Sequence, residues 1–174
     1  MKKITIISLL ALIVVVVAPT WAALAGVAGL MTGPVALICA GLYVANGSQI
    51  KNALKMTLGF LAGNFWAFFV VLTLGALGPK LGLPEPLLLW LVLAVYVAIA
   101  VLIAGMLDTI FDLSAWLAGW AVTLQLLVMV APSGANLLTW VIQIGIAMVA
   151  GVWVVGVLIT QLHGKILGKL SSKN

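Results

Sequence analysis

The side chains in this sequence that could do chemistry are amides, hydroxyls and aromatic rings set inside long apolar runs. Asn64, Gln125 and Gln143 carry carboxamides deep in such runs, where an amide without a partner is costly. We therefore expect these amides either to hydrogen-bond neighbouring helices or to line a path for a small polar solute. The pathway candidates are Asn64, Gln125, Gln143, Tyr96, Trp66 and Trp153.

Asp108 and Asp112 form an acidic pair four residues apart. On a helix the two carboxylates would share a face, where they could bind a cation or act as general acid and base. No His, Cys or third acid lies nearby in the sequence to complete a metal or catalytic set. We therefore favour structural roles, in which Asp112 caps a helix or either acid pairs with Lys51, Lys55 or Lys165.

The sequence lacks the motifs that are typical of enzymes. No Ser-His-Asp set, phosphate loop, zinc spacing or cofactor fingerprint can be assembled. Cys39 is the single cysteine, so a disulfide framework is excluded, and His163 lies where the last apolar run ends, as a helix-end residue would. We predict that the protein is not an enzyme and has no catalytic residues, no metal and no cofactor.

The elements that must position these residues are membrane helices. The run from Ile4 to Ala45 has 42 residues without a charge, and about 20 apolar residues cross a bilayer. Only 6% of the chain is charged, against roughly 25% in soluble domains. We therefore predict an all-α polytopic membrane helix bundle, a single domain over residues 1–174. Its six spans are predicted at about 4–29, 32–47, 51–77, 86–108, 113–131 and 135–162.

Proline and glycine predict irregular backbone near the start of the chain. Thr32-Gly33-Pro34 is typical of a turn between the first two spans, and Pro19 would kink or interrupt the first span. The segment Trp21–Gly26 resembles Trp116–Gly119, which indicates either two three-helix inverted halves, as in many transporters, or chance similarity. A signal peptide is the alternative for the N-terminal run, and we disfavour it because the hydrophobicity continues.

Small residues recur every four positions in the third span, at Gly59, Gly63 and Ala67. Residues with this spacing share a helix face and let another helix backbone approach closely. The row predicts helix packing, either within the chain or between subunits.

The basic residues are all lysines, and they lie at or near the edges of the apolar runs. If both termini are cytoplasmic, every lysine except Lys80 lies inside, as the positive-inside rule requires. We therefore predict that both termini are cytoplasmic. This topology explains the net charge of +5 without a nucleic-acid partner.

Several stretches rich in small residues and tryptophan resemble a known family. They are Trp21-Ala-Ala-Leu-Ala-Gly-Val-Ala-Gly-Leu30, Gly41-Leu-Tyr-Val-Ala-Asn-Gly47, Leu58-Gly-Phe-Leu-Ala-Gly-Asn-Phe-Trp66 and Phe111–Thr123. From about Pro19 to Val157 the chain resembles the bacterial inner-membrane family of YcdZ type, labelled domain of unknown function 1097. The resemblance implies a multi-pass inner-membrane protein. The family has no established activity, so the resemblance supplies no catalytic residues that could be assigned to positions of this chain.

Two functional hypotheses follow from these observations. The leading one is an integral inner-membrane channel or transporter for a small polar uncharged metabolite, because amides, hydroxyls and aromatic faces suit such a solute. The alternative is an accessory or scaffold subunit that packs against another membrane protein. The expected partners are the lipid bilayer, a small-molecule solute, and either a second copy of the chain or another membrane protein.

Overall fold

The computed structural model describes residues 3–171, which form α-helices and contain no β-strand within that range. The helices are α1 (Lys3–Val27), α2 (Val35–Ala45), α3 (Ile50–Leu81), α4 (Glu85–Met106), α5 (Leu113–Val130), α6 (Leu137–Ala150) and α7 (Val157–Ser171). A short 3-10 turn, Ala131–Ser133, follows α5, and a π-helical turn, Gly151–Gly156, connects α6 to α7 without a break. The prediction of an all-α fold is confirmed.

Five helical stretches of the described chain are long and apolar enough to cross a membrane. They are Ile6–Val27, Ile50–Leu81, Glu85–Met106, Leu113–Ser133 and Leu137–Lys169. A helix in lipid satisfies its backbone polar groups internally, where no water is present to do so. The chain is therefore a multi-pass integral membrane protein.

The second predicted span, 32–47, is shorter in the structure than in the prediction. Its helix α2 has 11 residues, which at 1.5 Å per residue amounts to about 16 Å, roughly half of a bilayer's hydrocarbon core. Residues 32–34 form the turn that precedes α2, and the chain leaves the helix at Gly47 and Ser48, where φ is 82° and 55°. Turn geometry at both ends limits the length of α2.

The interruption predicted at Pro19 is absent, because α1 is one continuous helix from Lys3 to Val27. Proline removes one N–H from the helix ladder, yet in lipid any alternative backbone path would leave more groups unsatisfied. The next residue also adds a bond within the helix, since the Thr20 hydroxyl donates to the Val16 carbonyl at 2.6 Å. The prediction that Pro19 interrupts the first helix was wrong, and the alternative of a kink at Pro19 stays a prediction.

The chain divides into two compact units. Unit 1 contains the residues up to Ala53 and those from Ala147 onward, and unit 2 is Leu54–Ile146. Unit 1 thus joins α1 and α2 to the C-terminal part of the chain, so the units differ from the two predicted three-helix halves. An inverted relation between those halves stays a prediction, as does the single domain.

Unit 1 is held together by apolar contacts among α1, α2, the π turn and α7. Its core contains Ile13, Ala40, Val155 and Ile159. The Trp21 indole N–H donates to the Gly33 carbonyl at 2.9 Å, which fixes the predicted turn against α1. At the other end of α1, Nε2 of His163 lies 3.2 Å from the Ile6 carbonyl oxygen.

Unit 2 has its core where α3, α4 and α5 meet. The buried residues there are Ala67, Val70, Leu88, Val92 and Trp120. A second cluster joins Ala100, Ala104 and Trp116 at the other end of α4. Two of the predicted pathway residues, Trp66 and Tyr96, pack against these clusters.

Candidate functional site

Asn64 is the most completely bonded of the predicted pathway residues. It is 1% exposed, its amide nitrogen donates to the Val141 carbonyl at 2.8 Å, and its oxygen accepts from the Thr123 hydroxyl at 2.9 Å. Thr123 is itself fully buried. These bonds connect α3 to α5 and α6, so the Asn64 side chain acts as an interhelical clamp inside unit 2.

Trp66 and Tyr96 form a second polar cluster, between α3 and α4. The Trp66 indole N–H donates to the Tyr96 carbonyl at 3.0 Å, and the two rings meet edge to face at 5.3 Å. The Tyr96 hydroxyl lies 2.7 Å from the Thr73 hydroxyl and 3.4 Å from the Phe69 carbonyl. Protein groups therefore already satisfy the polar atoms of this cluster.

The remaining pathway candidates are Gln125, Gln143 and Trp153. Gln125 is exposed on α5, and Gln143 is half-buried on α6 with its side-chain oxygen buried and unpartnered within the described structure. Trp153 lies in unit 1, where its side chain is 39% exposed. Within the described part of unit 2, no hydrogen bond joins Gln125 or Gln143 to Asn64 or to the Trp66–Tyr96 cluster.

The predicted small-residue row lies at the crossing of α3 and α5. A methyl group on Gly59 would stand 2.5 Å from the Asp112 carbonyl oxygen, and one on Gly63 would stand 2.6 Å from the Trp120 backbone nitrogen. Ala67 is completely buried and packs with Trp120. The row is thus occupied by a helix of the same unit.

The acidic pair does not share a helix face, because α4 ends at Met106 and Asp108 lies in the turn that follows. Asp112 is the N-cap of α5, where its carboxylate accepts from the Ala115 backbone N–H at 2.9 Å and from the Ser114 hydroxyl. In the described part of the chain, neither acid forms an ion pair with a lysine. Asp112 thus has the capping role, which is one of the two structural roles we favoured.

Residues 3–171 contain no set of side chains that could ligate a metal ion. No group of three or more His, Cys, Asp or Glu side chains that could hold a metal ion occurs there. Cys39 is buried as a free thiol in the packed face of α2.

The contact between α2 and the π turn is the feature that the sequence reasoning missed. A methyl group on Gly151 would stand 2.7 Å from Cα of Ala36, and one on Gly156 would stand 2.8 Å from Cδ1 of Tyr43. The N–H of Val157 bonds to the Val152 carbonyl, five residues back, which is the π-helical pattern. The half-length helix α2 thus lies directly against a turn with wider hydrogen-bond spacing.

Tyr43 gives this contact its chemical interest. The residue is 1% exposed, and its hydroxyl has no hydrogen-bond partner among the described residues. A buried hydroxyl left unpaired costs about 1–3 kcal/mol, and each such group in a folded protein calls for an explanation. A phenol can both donate and accept a hydrogen bond, so it could serve a neutral polar ligand.

An apolar groove of about 280 Å³ borders the same helices. It is lined by Leu10, Val14, Ala18, Leu37, Ala40, Gly41, Val44, Val155 and Ile159. α1, α2, the π turn and α7 all contribute to it, and no charged side chain does. Tyr43 is not one of the lining residues, so unit 1 offers two separate features on α2, an apolar groove and a tyrosine that packs on the π turn with its hydroxyl unpartnered.

Two sequence signals, had they been combined, could have indicated this site. Gly151 and Gly156 are five residues apart, which matches the i to i+5 bonding of a π-helix. Tyr43 lies in the shortest predicted span, 32–47. A short helix has few residues of its own that can cover a polar ring. Neither signal is specific by itself, because glycine is common in membrane helices.

One family comparison identifies relatives of the chain. The model of a family described as "Protein of unknown function (DUF1097)" matches residues 11–164, a range that runs from within α1 to within α7. No curated protein and no solved structure matches the chain.

Proposed function

The chain belongs to the DUF1097 family, and because that description assigns no activity, we propose a function from the geometry of the candidate site. We propose a channel or transporter for a small polar uncharged metabolite. We place it in a bacterial inner membrane, which is the location that the resemblance to the YcdZ type implies. The observation that carries the proposal is the unpartnered Tyr43 hydroxyl, buried where α2 meets the π turn.

The irregular backbone at this contact supports transport. π turns occur often at functional sites, and removing the extra residue of such a turn rotates the following helix by about 100°. Transporters also build their solute sites from short or discontinuous helices within the membrane. A switch of Gly151–Gly156 to α-helical bonding would shift α7 against α2 and change the surroundings of the Tyr43 hydroxyl.

The absence of charge at the site favours an uncharged solute. The side chains that line the groove in unit 1 are all apolar, and a charged solute crossing the bilayer core would require polar or charged partners. A neutral solute needs only a few hydrogen bonds and an apolar wall. The Tyr43 phenol would supply one hydrogen bond and the groove would supply the wall.

Lysine positions support a topology in which both termini are cytoplasmic. If the segment containing α2 brings the chain back across the bilayer, all lysines except Lys80 lie on one side. If that segment did not cross, Lys2, Lys3 and Lys80 would lie on one side of the bilayer and the other five lysines on the opposite side. The positive-inside rule favours the first arrangement, in which the turn and loop residues that flank α2 complete a short crossing.

Solute flux into proteoliposomes tests the proposal. Vesicles containing the purified protein would be compared with empty vesicles across a panel of uncharged solutes, such as urea, glycerol and acetamide, with acetate and methylammonium as charged controls. We expect uncharged solutes to enter faster in the presence of the protein, and Tyr43→Phe to reduce that flux at least several-fold. Flux equal to that of empty vesicles for every solute would contradict the proposal.

The chain offers a matched control, since Tyr96 is its other tyrosine. Tyr96→Phe deletes a hydroxyl that already has protein partners, so we expect it to leave flux close to that of the wild type. Loss of flux in Tyr96→Phe but not in Tyr43→Phe would place the path in unit 2 instead. Equal flux in both variants and the wild type would remove the support that Tyr43 gives.

Substitution in the π turn tests the proposed switch of Gly151–Gly156 to α-helical bonding. In Gly156→Ala the new methyl group would stand 2.8 Å from the Tyr43 ring and 3.2 Å from the Gly151 carbonyl oxygen, so we expect flux to fall. Gly164→Ala, in α7 with no other atom within 4 Å of the new methyl group, is the control. Equal flux in the two variants would contradict a role for the π turn.

An accessory or scaffold subunit is the second candidate. It is favoured by the full hydrogen bonding of Asn64, because the most deeply buried pathway candidate then serves the bundle itself. This candidate predicts no flux in any vesicle and a defined membrane partner in fixed stoichiometry. It also predicts that the amount of this partner falls when the chain is deleted from cells.

A further inference from the structure

Gln125 has an unusual place for an amide in a membrane helix. The residue lies two positions beyond the centre of the span Leu113–Ser133, which puts it about 3 Å from the middle of that helix. Its side chain is exposed, and no group in residues 3–171 forms a hydrogen bond with it. In a single copy of the chain, a free carboxamide would therefore face the hydrocarbon core.

Such exposure is unfavourable unless the amide finds a partner, because lipid tails offer no hydrogen bonds. Thr20 shows how an exposed polar side chain can avoid this cost, since its hydroxyl donates to the Val16 carbonyl of its own helix. Gln125 has no such bond. The structure therefore leaves both the NH2 group and the carbonyl oxygen of the Gln125 side chain to be satisfied from outside the chain.

The surroundings of Gln125 are otherwise suited to lipid or to another apolar helix. Leu117, Ala121 and Val128 lie on the same side of α5, one to three turns apart, and all three are exposed. We call this row with Gln125 the outer face of α5. Ala121, one turn before Gln125, carries only a methyl group, and a small residue at that position lets a second helix approach closely.

We propose that the outer face of α5 pairs with the same face of a second copy of the chain around a twofold axis along the membrane normal. Copies inserted with the same topology place Gln125 at the same depth in the bilayer. The carboxamide is self-complementary, because it holds both a donor and an acceptor. Across the axis each Gln125 nitrogen donates to the partner's oxygen, which satisfies both side chains with a pair of bonds.

This pairing is independent of the proposed transport, because it involves α5 in unit 2 and not the Tyr43 site in unit 1. Failure of the flux experiments would not affect it, and a monomeric protein could still transport. The observation that carries it is the exposed mid-span amide alone.

Cysteine cross-linking in native membranes tests the proposed geometry. In a Cys39→Ala background, Ala121→Cys puts a thiol on the outer face of α5 and leaves Gln125 intact. Val95→Cys, mid-way along α4 and 56% exposed at the native residue, is the control. We expect oxidation to yield a disulfide-linked dimer for Ala121→Cys and little for Val95→Cys, and adding Gln125→Leu should reduce the dimer. Equal yields at the two positions would overturn the proposal.

Dimer dissociation in vesicles provides a second measurement. Single-molecule photobleaching at graded protein-to-lipid ratios would give the dissociation constant of each variant. Two interhelical hydrogen bonds of average strength in membranes predict that Gln125→Leu weakens the dimer by about ten-fold. Gln143→Leu removes another mid-helix amide and should leave the constant unchanged. A monomeric wild type, or a Gln125→Leu dimer as tight as the wild type, would overturn the proposal.

Discussion

Thr123 donates a hydrogen bond of 2.9 Å to the side-chain oxygen of Asn64, and both side chains are excluded from the surface. The same carboxamide donates to the Val141 carbonyl at 2.8 Å. One side chain on α3 therefore binds to two other helices of unit 2. The amide selected from the sequence as a path-lining candidate is, in the structure, a point of attachment between helices.

We predict that Asn64→Leu destabilises the protein by about 1–3 kcal/mol, since it removes both bonds and leaves the Thr123 hydroxyl buried without an acceptor. Thr123→Val removes one bond and should cost less. The free energy of unfolding, measured by steric trapping in bicelles, would show the difference. Normal stability of Asn64→Leu together with lost solute flux would contradict the clamp role and favour a pathway role.

Gly63→Ala should destabilise the crossing of α3 and α5. The new methyl group would stand 2.6 Å from the Trp120 backbone nitrogen and still closer to the Trp116 carbonyl oxygen, so the helices must separate. We expect a loss of about 2 kcal/mol or more, as for other overpacked cores. Gly75→Ala, on the same helix with no atom within 4 Å of the new methyl group, should be neutral or slightly stabilising. Equal melting temperatures for the two variants would contradict this contact.

Tyr43→Phe should raise stability by up to about 1–3 kcal/mol, because it deletes a buried hydroxyl that has no partner and keeps the ring that packs on Gly156. Tyr96→Phe should lower stability, since the Tyr96 hydroxyl bonds to Thr73. The two unfolding free energies, measured under the same conditions, should move in opposite directions. Destabilisation by Tyr43→Phe would indicate that its hydroxyl has a partner in the membrane.

Asp112→Ala should destabilise the start of α5 by about 1 kcal/mol, the usual effect of losing an N-cap. Asp112→Asn keeps a side-chain oxygen that can accept from the Ala115 N–H, so most of the stability should return. Asp108→Ala changes an exposed turn residue and should have little effect. Hydrogen exchange of the first amides of α5 would locate the change, and equal exchange in all three variants would contradict the cap.

Some features of the site could be predicted because a short stretch of sequence determines them. Gly59 and Gly63 are visible as small residues one turn apart, and a close helix approach follows from that spacing alone. Asp112 stands before a new apolar run, which is where a capping acid belongs. In each case the type of contact can be read from the sequence, and the partner helix cannot.

The features that escaped prediction depend on tertiary packing. Proline usually breaks a helix in water. At Pro19 the surrounding lipid favours a continuous helix, because other backbone paths would leave polar groups unsatisfied. The π turn at Gly151–Gly156 fits a particular surface of α2, formed by Ala36 and Tyr43, and no local pattern specifies that surface. Gln125 and Asn64 look alike in sequence, and only the arrangement of the helices makes one exposed and the other buried.

The bonding of Asn64 has a consequence for how the protein is made. A ribosome delivers α3 to the membrane before it has synthesised Thr123 or Val141, because domains and their parts emerge from the N-terminus onward. During that interval the carboxamide of α3 has neither of its final partners, and its insertion into lipid is correspondingly less favourable. The third helix should therefore reach its full stability in the bilayer only when the fifth and sixth helices arrive, and nascent chains truncated before α5 should hold α3 less firmly.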